Sequence, residues 1–415
     1  MELESSSKLK KFKPLIIIAV IIAVLVAMYF TAVYSNIGFI KDLRELYIET
    51  AMSTFTHKWL ATAFIPESVI NEVMDKANAG FDKNLEYESV RLWTKEENVI
   101  IKEAPDKPSK VTKQSSDNDE TVSEYNWQEH IRSDKKKEFK STFDEIDFDT
   151  FNWDLFSGDI ESLQLTNLSD YNIKTTSGDT VWGIDNVNKI LILDVAGDKY
   201  KGKLAIVKDS SMVKIGVSQL DWRGQTVGEL CDAYNAVLGI NANGFGDAEG
   251  KGDGSIPVGL IISNGEVLHD RETTSYYKVC GFDYDDNFIL GNSYKDSEFR
   301  DAAQFFPSLI ANGEKILDGS FGLGLQPRTA IGQNTDKEVL MLIIDGRDIS
   351  HSIGATVSDC ADILLRYDCW AAMCMDGGSS SSMVYNGEII TKPSTPMENG
   401  RYLPNAWLVV NNTKS

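Results

Sequence analysis

The chain has 415 residues, of which 42% are hydrophobic, and its formal net charge is −21 at pH 7. A chain of this length can bury a full core and divide into more than one domain. The acidic excess repels phosphate backbones, which argues against nucleic acid as a partner of the soluble part. The five cysteines and four histidines show neither a disulfide framework nor the spacing of a structural zinc site.

The N-terminus combines a basic start with a long apolar stretch. Residues 14–34 carry no charged side chain, and lysines precede them at positions 8, 10, 11 and 13. About 20 apolar residues suffice to cross a bilayer as a helix. We predict a cytoplasmic tail at 1–13 and an uncleaved transmembrane signal anchor at 14–34. The protein would then be a single-pass protein of the cell membrane, with its N-terminus cytoplasmic and everything after about residue 35 extracellular. A cleaved signal peptide is the alternative, which the length of the apolar stretch disfavours.

Residues 35–165 are predicted as membrane-proximal helices followed by an acidic stalk. Apolar residues recur at helical spacing between 39 and 78, and Pro66 separates two helices within that stretch. Residues 102–140 carry many charges and few apolar groups, so burial cannot offset the entropy of ordering them. We expect an exposed loop or stalk there.

Residues 166–415 are rich in short β-like runs, which predict an α+β domain of mixed and antiparallel sheets flanked by helices. Apolar runs predict strands at 189–193, 203–207, 258–262, 288–290, 339–344 and 406–410. Tight hairpin turns are predicted at the Asn-Gly pairs 264–265, 312–313 and 386–387. Two helices are predicted, one over 226–238 and one beginning at Thr356, where Asp359 completes a capping box.

Two carboxylates stand where apolar runs end, each directly before a glycine. Asp345 closes the run 339–344, and Asp376 precedes two glycines and four serines. A buried strand that ends in Asp-Gly delivers a charged group to the sheet edge, although Asp-Gly alone is usually only a turn. Arg328 and Arg347 can hold an anion with bidentate geometry. These four residues are the predicted catalytic set, around one polar cavity. Which carboxylate orients water, acts as nucleophile or holds a substrate hydroxyl is left open.

Ordered motifs between residues 190 and 410 resemble the phosphodiester glycosidase family, which includes the lysosomal enzyme that uncovers mannose 6-phosphate and bacterial exopolysaccharide-associated proteins. The matching segments are 200–209, 239–245, 257–261, 306–313, 327–332, 345–347, 352–356, 376–380 and 401–406. Each segment alone is a weak signal, whereas the ordered set is specific.

This resemblance implies an extracellular hydrolase that cleaves sugar-1-phosphodiester bonds in an envelope or exopolysaccharide glycan. The expected partners are that glycan substrate and, through the N-terminal helix, the membrane. The implied substrate-binding residues are Asn241, Asn243, Gly244, Thr329, Ser352, Thr356, Gly377, Gly378, Ser379, Ser380, Arg401 and Asn405. No metal ligand is predicted and the sequence requires no cofactor. Residues 247–254 carry carboxylates and glycines compatible with Ca²⁺, although a solvated acidic loop is the simpler interpretation.

Three positions depart from the family pattern. Ala242 follows Asn241 where the family usually has a Gly-Gly pair, Asp359 stands where Glu is usual, and Gly400 replaces a Glu before Arg401. Three alternatives stay open beside hydrolysis, and the first is favoured if the departures at Ala242 and Gly400 empty the site. The domain would bind glycans without turnover, would serve as an envelope scaffold, or would transfer the sugar to an acceptor other than water.

Overall fold

The computed structural model describes residues 2–54, 57–84, 127–151, 153, 160–247, 252–271, 273–274, 276–291, 295–317 and 319–411. Side chains at 2–14, 78–84 and 127–133 lie outside that description, and so does the predicted acidic loop at 102–126.

The N-terminal region is helical. Its helices are α1 (Glu2–Tyr34), α2 (Gly38–Met52), α3 (Trp59–Thr62) and α4 (Glu67–Asn84). Twenty residues of α1, Leu15–Tyr34, are apolar enough to cross a membrane and are only 6% buried in the protein, which confirms the predicted apolar helix. Pro66 lies between α3 and α4 as predicted, because its ring disrupts helix interiors. Packing between α2, α3 and α4 forms a small core of Ile48, Ala51, Ala61, Ile70 and Val73.

A fifth helix corrects one sequence prediction. Residues 127–140 are not a loop, because α5 spans Trp127–Thr142. Phe139 on α5 and Phe143 directly after it are buried in the largest hydrophobic core, together with Ile146. Burial of these aromatic rings offsets the conformational entropy that is lost when the segment becomes ordered. The charged residues around them could not offset that loss. The domain boundary predicted at residue 166 stays a prediction.

The described residues beyond α5 also form two α-helices and nineteen strands. The helices are α6 (Val227–Tyr234) and α7 (Val357–Leu365). The strands are β1 (Gln164–Leu165), β2 (Thr180–Asp185), β3 (Ile190–Ala196), β4 (Lys201–Val207), β5 (Val213–Val217), β6 (Ala236–Asn241), β7 (Ile261–Ser263), β8 (Glu266–His269), β9 (Lys278–Phe282), β10 (Phe288–Gly291), β11 (Asp301–Phe305), β12 (Ser308–Ala311), β13 (Glu314–Lys315), β14 (Arg328–Asn334), β15 (Val339–Ile344), β16 (Cys369–Met375), β17 (Met383–Tyr385), β18 (Glu388–Ile389) and β19 (Asn405–Val410).

The strands form three sheets whose described pairings are antiparallel. The nine-stranded sheet has the order β1-β2-β3-β4-β15-β14-β16-β12-β13. The five-stranded sheets have the orders β10-β9-β11-β7-β8 and β18-β17-β6-β19-β5. The α+β class predicted from the sequence is confirmed.

The nine-stranded sheet separates two cores, since successive residues of a strand face opposite sides. Leu340, Leu342 and Ile344 of β15 pack toward α5 and α7. Val339, Met341 and Ile343 pack toward the two five-stranded sheets. Both faces of β15 are therefore apolar, which explains its continuous apolar sequence.

Local signals in the sequence are confirmed at the turns and helix starts. The three Asn-Gly pairs have positive φ at both residues and connect β7–β8, β12–β13 and β17–β18. Thr356 caps α7 in a capping box with Asp359. The helix predicted at 226–238 ends earlier, at Tyr234, because Asn235 adopts a left-handed cap and β6 follows. All five cysteines are free and buried.

Candidate active site

Three strand ends meet at one edge of the nine-stranded sheet. Arg328 opens β14 opposite Ile344, the last residue of β15, and Thr329 pairs with Met375, the last residue of β16. Asp345 and Asp376 directly follow these strand ends. The register brings the two carboxylates and Arg328 to one edge of the sheet, and their shared cavity stays a prediction.

Asp376 lies at the centre of a group of charged and polar side chains. Its carboxyl accepts a hydrogen bond from the Ser380 side chain, and Arg401 and Asp247 are close enough to act on it electrostatically. Burial among these neighbours raises the pKa of Asp376 to about 6, against the hydrogen bond from Ser380 and the charge of Arg401. The residue keeps partial solvent exposure. A partly open carboxyl with this pKa exists in both protonation states near neutral pH.

Arg347 lies close enough to Asp376 for their charges to interact. Nε and Nη2 both donate to Oε1 of Gln326, at 3.0 and 2.8 Å. Burial of the guanidinium and the charge of Arg328 lower the pKa of Arg347, while Asp376 opposes that shift. A Cβ on Gly378 would lie 3.0 Å from Nη2 of Arg347, so glycine at this position leaves the guanidinium accessible.

Arg328 is buried and holds backbone segments together. Nε donates to Ala355 O at 3.1 Å, and Nη2 donates to Leu323 O and Gly324 O at 3.0 and 2.7 Å. Desolvation lowers the pKa of Arg328. Its charge reaches Arg347, so it contributes positive potential behind that side chain.

Arg401 is paired with a residue that the sequence interpretation had assigned to a solvated loop. Nη1 and Nη2 bind the Asp247 carboxylate at 2.6 and 3.0 Å, and Nη1 also donates to Ser379 Oγ at 3.2 Å. Asp247 thereby provides the polar partner that Gly400 cannot. The Arg401 guanidinium also lies 4.8 Å from the ring centroid of Phe245. The sequence offered no signal for this pairing, which spans 154 residues.

An aromatic cluster borders the Asp376 group and was missed by the sequence interpretation. The Tyr277 ring lies 4.8 Å from the Phe306 ring and 5.7 Å from the Phe305 ring, and Tyr276 lies 4.9 Å from Phe306. Burial raises the pKa of Tyr277 to about 12, and Tyr276 and the charge of Asp376 add smaller contributions. The doublets at 276–277 and 305–306 were the available sequence signal.

Four predicted substrate-binding residues are fully buried and form the floor beneath the site. Asn241 Nδ2 donates to Asp376 O at 2.6 Å, and Thr329 Oγ1 donates to Asn241 Oδ1 at 2.8 Å. Asn243 and Asn405 exchange two hydrogen bonds, at 3.0 and 2.8 Å. These contacts fix the end of β16, and hence the position of Asp376.

The glycines and serines after Asp376 form a tight turn. Gly377 has no room for a side chain, since a Cβ there would lie 2.9 Å from Pro327 O. Gly378 has φ +63 and donates its N–H to Pro327 O at 2.9 Å. Ser379 is partly exposed and Ser380 is buried. Gly244 is also buried, and a Cβ on it would lie 2.9 Å from the ring of Phe305.

Asp345 occupies a different environment from Asp376. Its Oδ2 lies 2.8 Å from His351 Nε2, and its Oδ1 accepts from the Lys392 N–H at 2.8 Å. It lines a cavity of about 510 Å³ together with Lys201, Lys203 and His351. Burial raises the pKa of Asp345, against the hydrogen bond from His351. Among the described contacts, none joins Asp345 to the Asp376 group.

The alternation of side chains along β14 and β15 explains this separation. Arg328 shares its sheet face with Ala330, in the α7 core. Asp345 shares its face with Met341 and Ile343, in the opposite core. Ser352 and Thr356 are likewise engaged elsewhere. Ser352 Oγ donates to Asp345 O at 2.6 Å, and Thr356 caps α7.

Within the described part of the chain, Asp144, Glu145 and Glu338 are close enough together to share a metal ion. Lys208 Nζ already lies among them, 2.5 Å from Glu145 and 2.7 Å from Glu338. An ammonium group at that point supplies the positive charge that a cation would bring. In the segment considered for Ca²⁺, Asp247 binds Arg401, and residues 248–251 lie outside the described residues.

Residues 234–410 match the family model described as phosphodiester glycosidase. The match covers less than half of the chain. It includes Asp376, Arg347 and Arg401, and the resemblance inferred from the ordered motifs is confirmed.

Individual relatives of this domain are distant. An SPbeta prophage-derived uncharacterized protein, YomE, of Bacillus subtilis (strain 168) is 26% identical over 200 residues, which is 42% of this chain and 28% of YomE. The catalytic domain of zebrafish N-acetylglucosamine-1-phosphodiester alpha-N-acetylglucosaminidase, auto-inhibited by its pro-peptide, is 17% identical with a TM-score of 0.44, over 53% of this chain and 82% of that one. A hypothetical protein from Synechocystis is 13% identical with a TM-score of 0.38, over 53% and 61% of the two chains.

Proposed function

We propose that this protein is a membrane-anchored hydrolase of sugar-1-phosphodiester bonds in envelope glycans, with its catalytic domain outside the cell. The family match at residues 234–410 supports a glycosidase-type function. The apolar helix at Leu15–Tyr34 and the lysines before it support an anchor with a cytoplasmic N-terminus. The observation that carries the proposal is the charge interaction between Arg347 and Asp376, whose pKa burial raises to about 6.

In this proposal, the anomeric C–O bond breaks and the bridging oxygen leaves with the phosphomonoester, while water supplies the new sugar hydroxyl. Glycosidic cleavage passes through an oxocarbenium-like state. A phosphomonoester is already a good leaving group, so positive charge beside it matters more than proton donation. Arg347 supplies that charge, reinforced by Arg328 behind it. Ionised Asp376 acts on the opposite side of the scissile bond, as nucleophile or as the base for water.

The aromatic cluster is proposed as the sugar-binding wall. Tyr276, Tyr277, Phe305 and Phe306 offer aromatic ring faces, and Tyr277 is close enough to Asp376 to respond to its charge. A sugar ring has an apolar face of C–H groups that packs on such surfaces, while its hydroxyls need polar partners. Ser379 Oγ accepts from Arg401 and can still donate, so it is a donor that this turn brings near Asp376.

Asp345 is proposed to position His351 rather than to react with substrate. His351 and the backbone N–H of Lys392 hold its two carboxylate oxygens in one orientation, and no described contact joins it to the Asp376 group. Four residues beneath the site are likewise proposed to position their neighbours, because their side chains are buried and hydrogen-bonded within the floor of the site. They are Asn241, Asn243, Thr329 and Asn405.

A second candidate is a glycan-binding domain without turnover. The aromatic cluster favours this candidate, since it can bind a sugar whether or not Asp376 reacts. The departure at Gly400 does not favour the binding candidate, because Asp247 supplies the hydrogen-bonding partner of Arg401.

Hydrolysis of a methyl sugar-1-phosphodiester by the full-length protein in H₂¹⁸O separates the candidates. We expect ¹⁸O in the anomeric hydroxyl of the released sugar and none in the methyl phosphate, because the C–O bond breaks. Label in the phosphate would mean P–O cleavage and would refute glycosidase chemistry. Saturable binding with no released sugar would establish the binding domain. Unlabelled glycosylated product with an added alcohol would indicate transfer.

A further inference from the structure

The membrane-proximal helix α2 ends against the catalytic domain. Its last turn contacts residues 320–326, which we call the docking loop. Thr50 Oγ1 accepts from Leu325 N at 2.9 Å, and Ser53 Oγ donates to Leu323 O at 3.1 Å. Glu49 and Ser320 are joined by a hydrogen bond between their side chains. These contacts join parts of the chain that lie about 270 residues apart.

The docking loop also holds both arginines of the site. Leu323 O and Gly324 O accept from Arg328, and Gln326 Oε1 accepts twice from Arg347. The same short segment therefore touches α2 on one side and the anion-binding guanidinium groups on the other.

Gln326 connects the two sides directly. Its Nε2 donates to Thr50 O at 3.2 Å and to Ser53 Oγ at 3.0 Å, while Oε1 faces Arg347. The orientation of this amide is fixed by chemistry, because a guanidinium only donates and a backbone carbonyl only accepts. If α2 moves away, the amide loses its two acceptors and is free to rotate away from Arg347.

We propose that Gln326 is a positioning residue through which α2 holds Arg347 in its anion-binding orientation. This inference rests on the function proposed for Arg347. Docking of the membrane-proximal helix then sets the affinity of the site for the phosphate group of its substrate. By reciprocity, an anion bound at Arg347 strengthens the docking of α2.

The arrangement also confines the site to the neighbourhood of the membrane. Three residues, 35–37, separate α1 from α2, and α2 has 15 residues. At 1.5 Å per residue α2 is about 22 Å long, so the docking loop lies within roughly 35 Å of the end of the apolar span. Glycans close to the membrane surface are the substrates that this geometry favours.

Two glycine variants of the full-length protein in detergent micelles separate docking from backbone strain. Gly324 and Gly319 have similar left-handed φ, +58 and +62. A Cβ on Gly324 would collide with the Thr50 backbone, whereas a Cβ on Gly319 meets nothing within 4 Å. We expect Gly324→Ala to lower kcat/KM about 10-fold and Gly319→Ala to leave it within about 2-fold. Equal effects of the two variants would overturn the proposal.

Gln326→Leu tests the bridge itself. It should also lower kcat/KM about 10-fold, and the double variant with Gly324→Ala should be no worse than either single variant, because both break one connection. If the loss of kcat/KM in the double variant equals the product of the two single losses, the two changes act independently and Gln326 is not the connection. Thermal unfolding of each variant reports whether the fold is retained.

Hydrogen exchange keeps this test independent of turnover. Added inorganic phosphate should slow amide exchange over residues 46–54 in the wild type and should not do so in Gln326→Leu. That result supports the coupling even if the wild type hydrolyses no substrate, in which case the proposed function alone fails. If saturating phosphate does not change amide exchange over residues 46–54 in the wild type, the coupling is overturned even if hydrolysis is normal.

Discussion

The two Asp-Gly strand ends have nearly the same sequence pattern and opposite environments. Asp376 is partly exposed and lies beside Arg347, with a short turn of glycine and serine after it. Asp345 is buried, and both its oxygens are occupied by His351 and the backbone of Lys392. The difference teaches that a strand end only delivers a carboxylate to the sheet edge. The groups that meet it there decide whether it is available for chemistry.

The largest expected effect is that of removing the charge of Asp376. Asp376→Asn should lower kcat for sugar-1-phosphodiester hydrolysis about 10³-fold, because an amide is neither nucleophile nor base. Asp345→Asn is the matched control and should cost less than about 10-fold. A larger loss in the Asp345 variant would reverse the assignment of the two strand ends.

The next effect concerns the charge beside Asp376. Arg347→Ala should lower kcat/KM about 10²-fold, the usual cost of losing one donor to a developing anion. Arg347→Lys should recover only part of that loss, since a lysine cannot make the paired hydrogen bonds to Gln326 and reach the phosphate at once. Steady-state rates with aryl phosphodiesters of differing leaving-group acidity would measure this. Equal losses for all leaving groups would argue against charge stabilisation at the phosphate.

The pH profile distinguishes the strand ends without removing either carboxylate. If ionised Asp376 is the active form, kcat/KM should rise roughly 10-fold between pH 5 and pH 7, following its pKa of about 6. The residual activity of Asp376→Asn should lack this rise, and Asp345→Asn should keep it. Activity that falls through pH 6 would indicate that protonated Asp376 is required instead.

The smallest effect is on stability. Burial raises the pKa of Asp376 from 3.8 to about 6 on folding, so its ionisation disfavours the folded state. That cost is absent below about pH 3.8 and complete above about pH 6. Asp376→Asn should therefore increase the free energy of unfolding by up to about 3 kcal/mol at pH 8 and by little near pH 4. Denaturant unfolding at the two pH values would measure it, and an equal change at both would contradict the raised pKa.

Local chemistry in the sequence predicted much of this fold. The Asn-Gly pairs, the capping box at Thr356 and the apolar run of β15 each have a physical cause within a few residues. The sequence also placed Asp345, Asp376 and Arg328 at strand ends. They meet at one edge of the sheet only if β14, β15 and β16 pair in the right register. The ordered family motifs were the sequence signal for that arrangement.

The rest depended on contacts that no local pattern encodes. The face on which Asp345 lies follows from the register between β14 and β15, since a shift of one residue reverses every side chain. The Arg401–Asp247 pair and the contact between α2 and Gln326 join distant segments. Helix α5 was not predicted because its sequence is rich in charged residues, although Phe139 and the following Phe143 are buried.

A structure of the full-length protein with a non-hydrolysable sugar-1-phosphonate bound tests the central claim most directly. We expect the phosphonate oxygens within hydrogen-bonding distance of the Arg347 guanidinium, the sugar ring against Tyr277 and Phe306, and the anomeric carbon facing Asp376. A ligand bound instead in the cavity of Asp345 and His351, with Asp376 remote from the anomeric carbon, would contradict it.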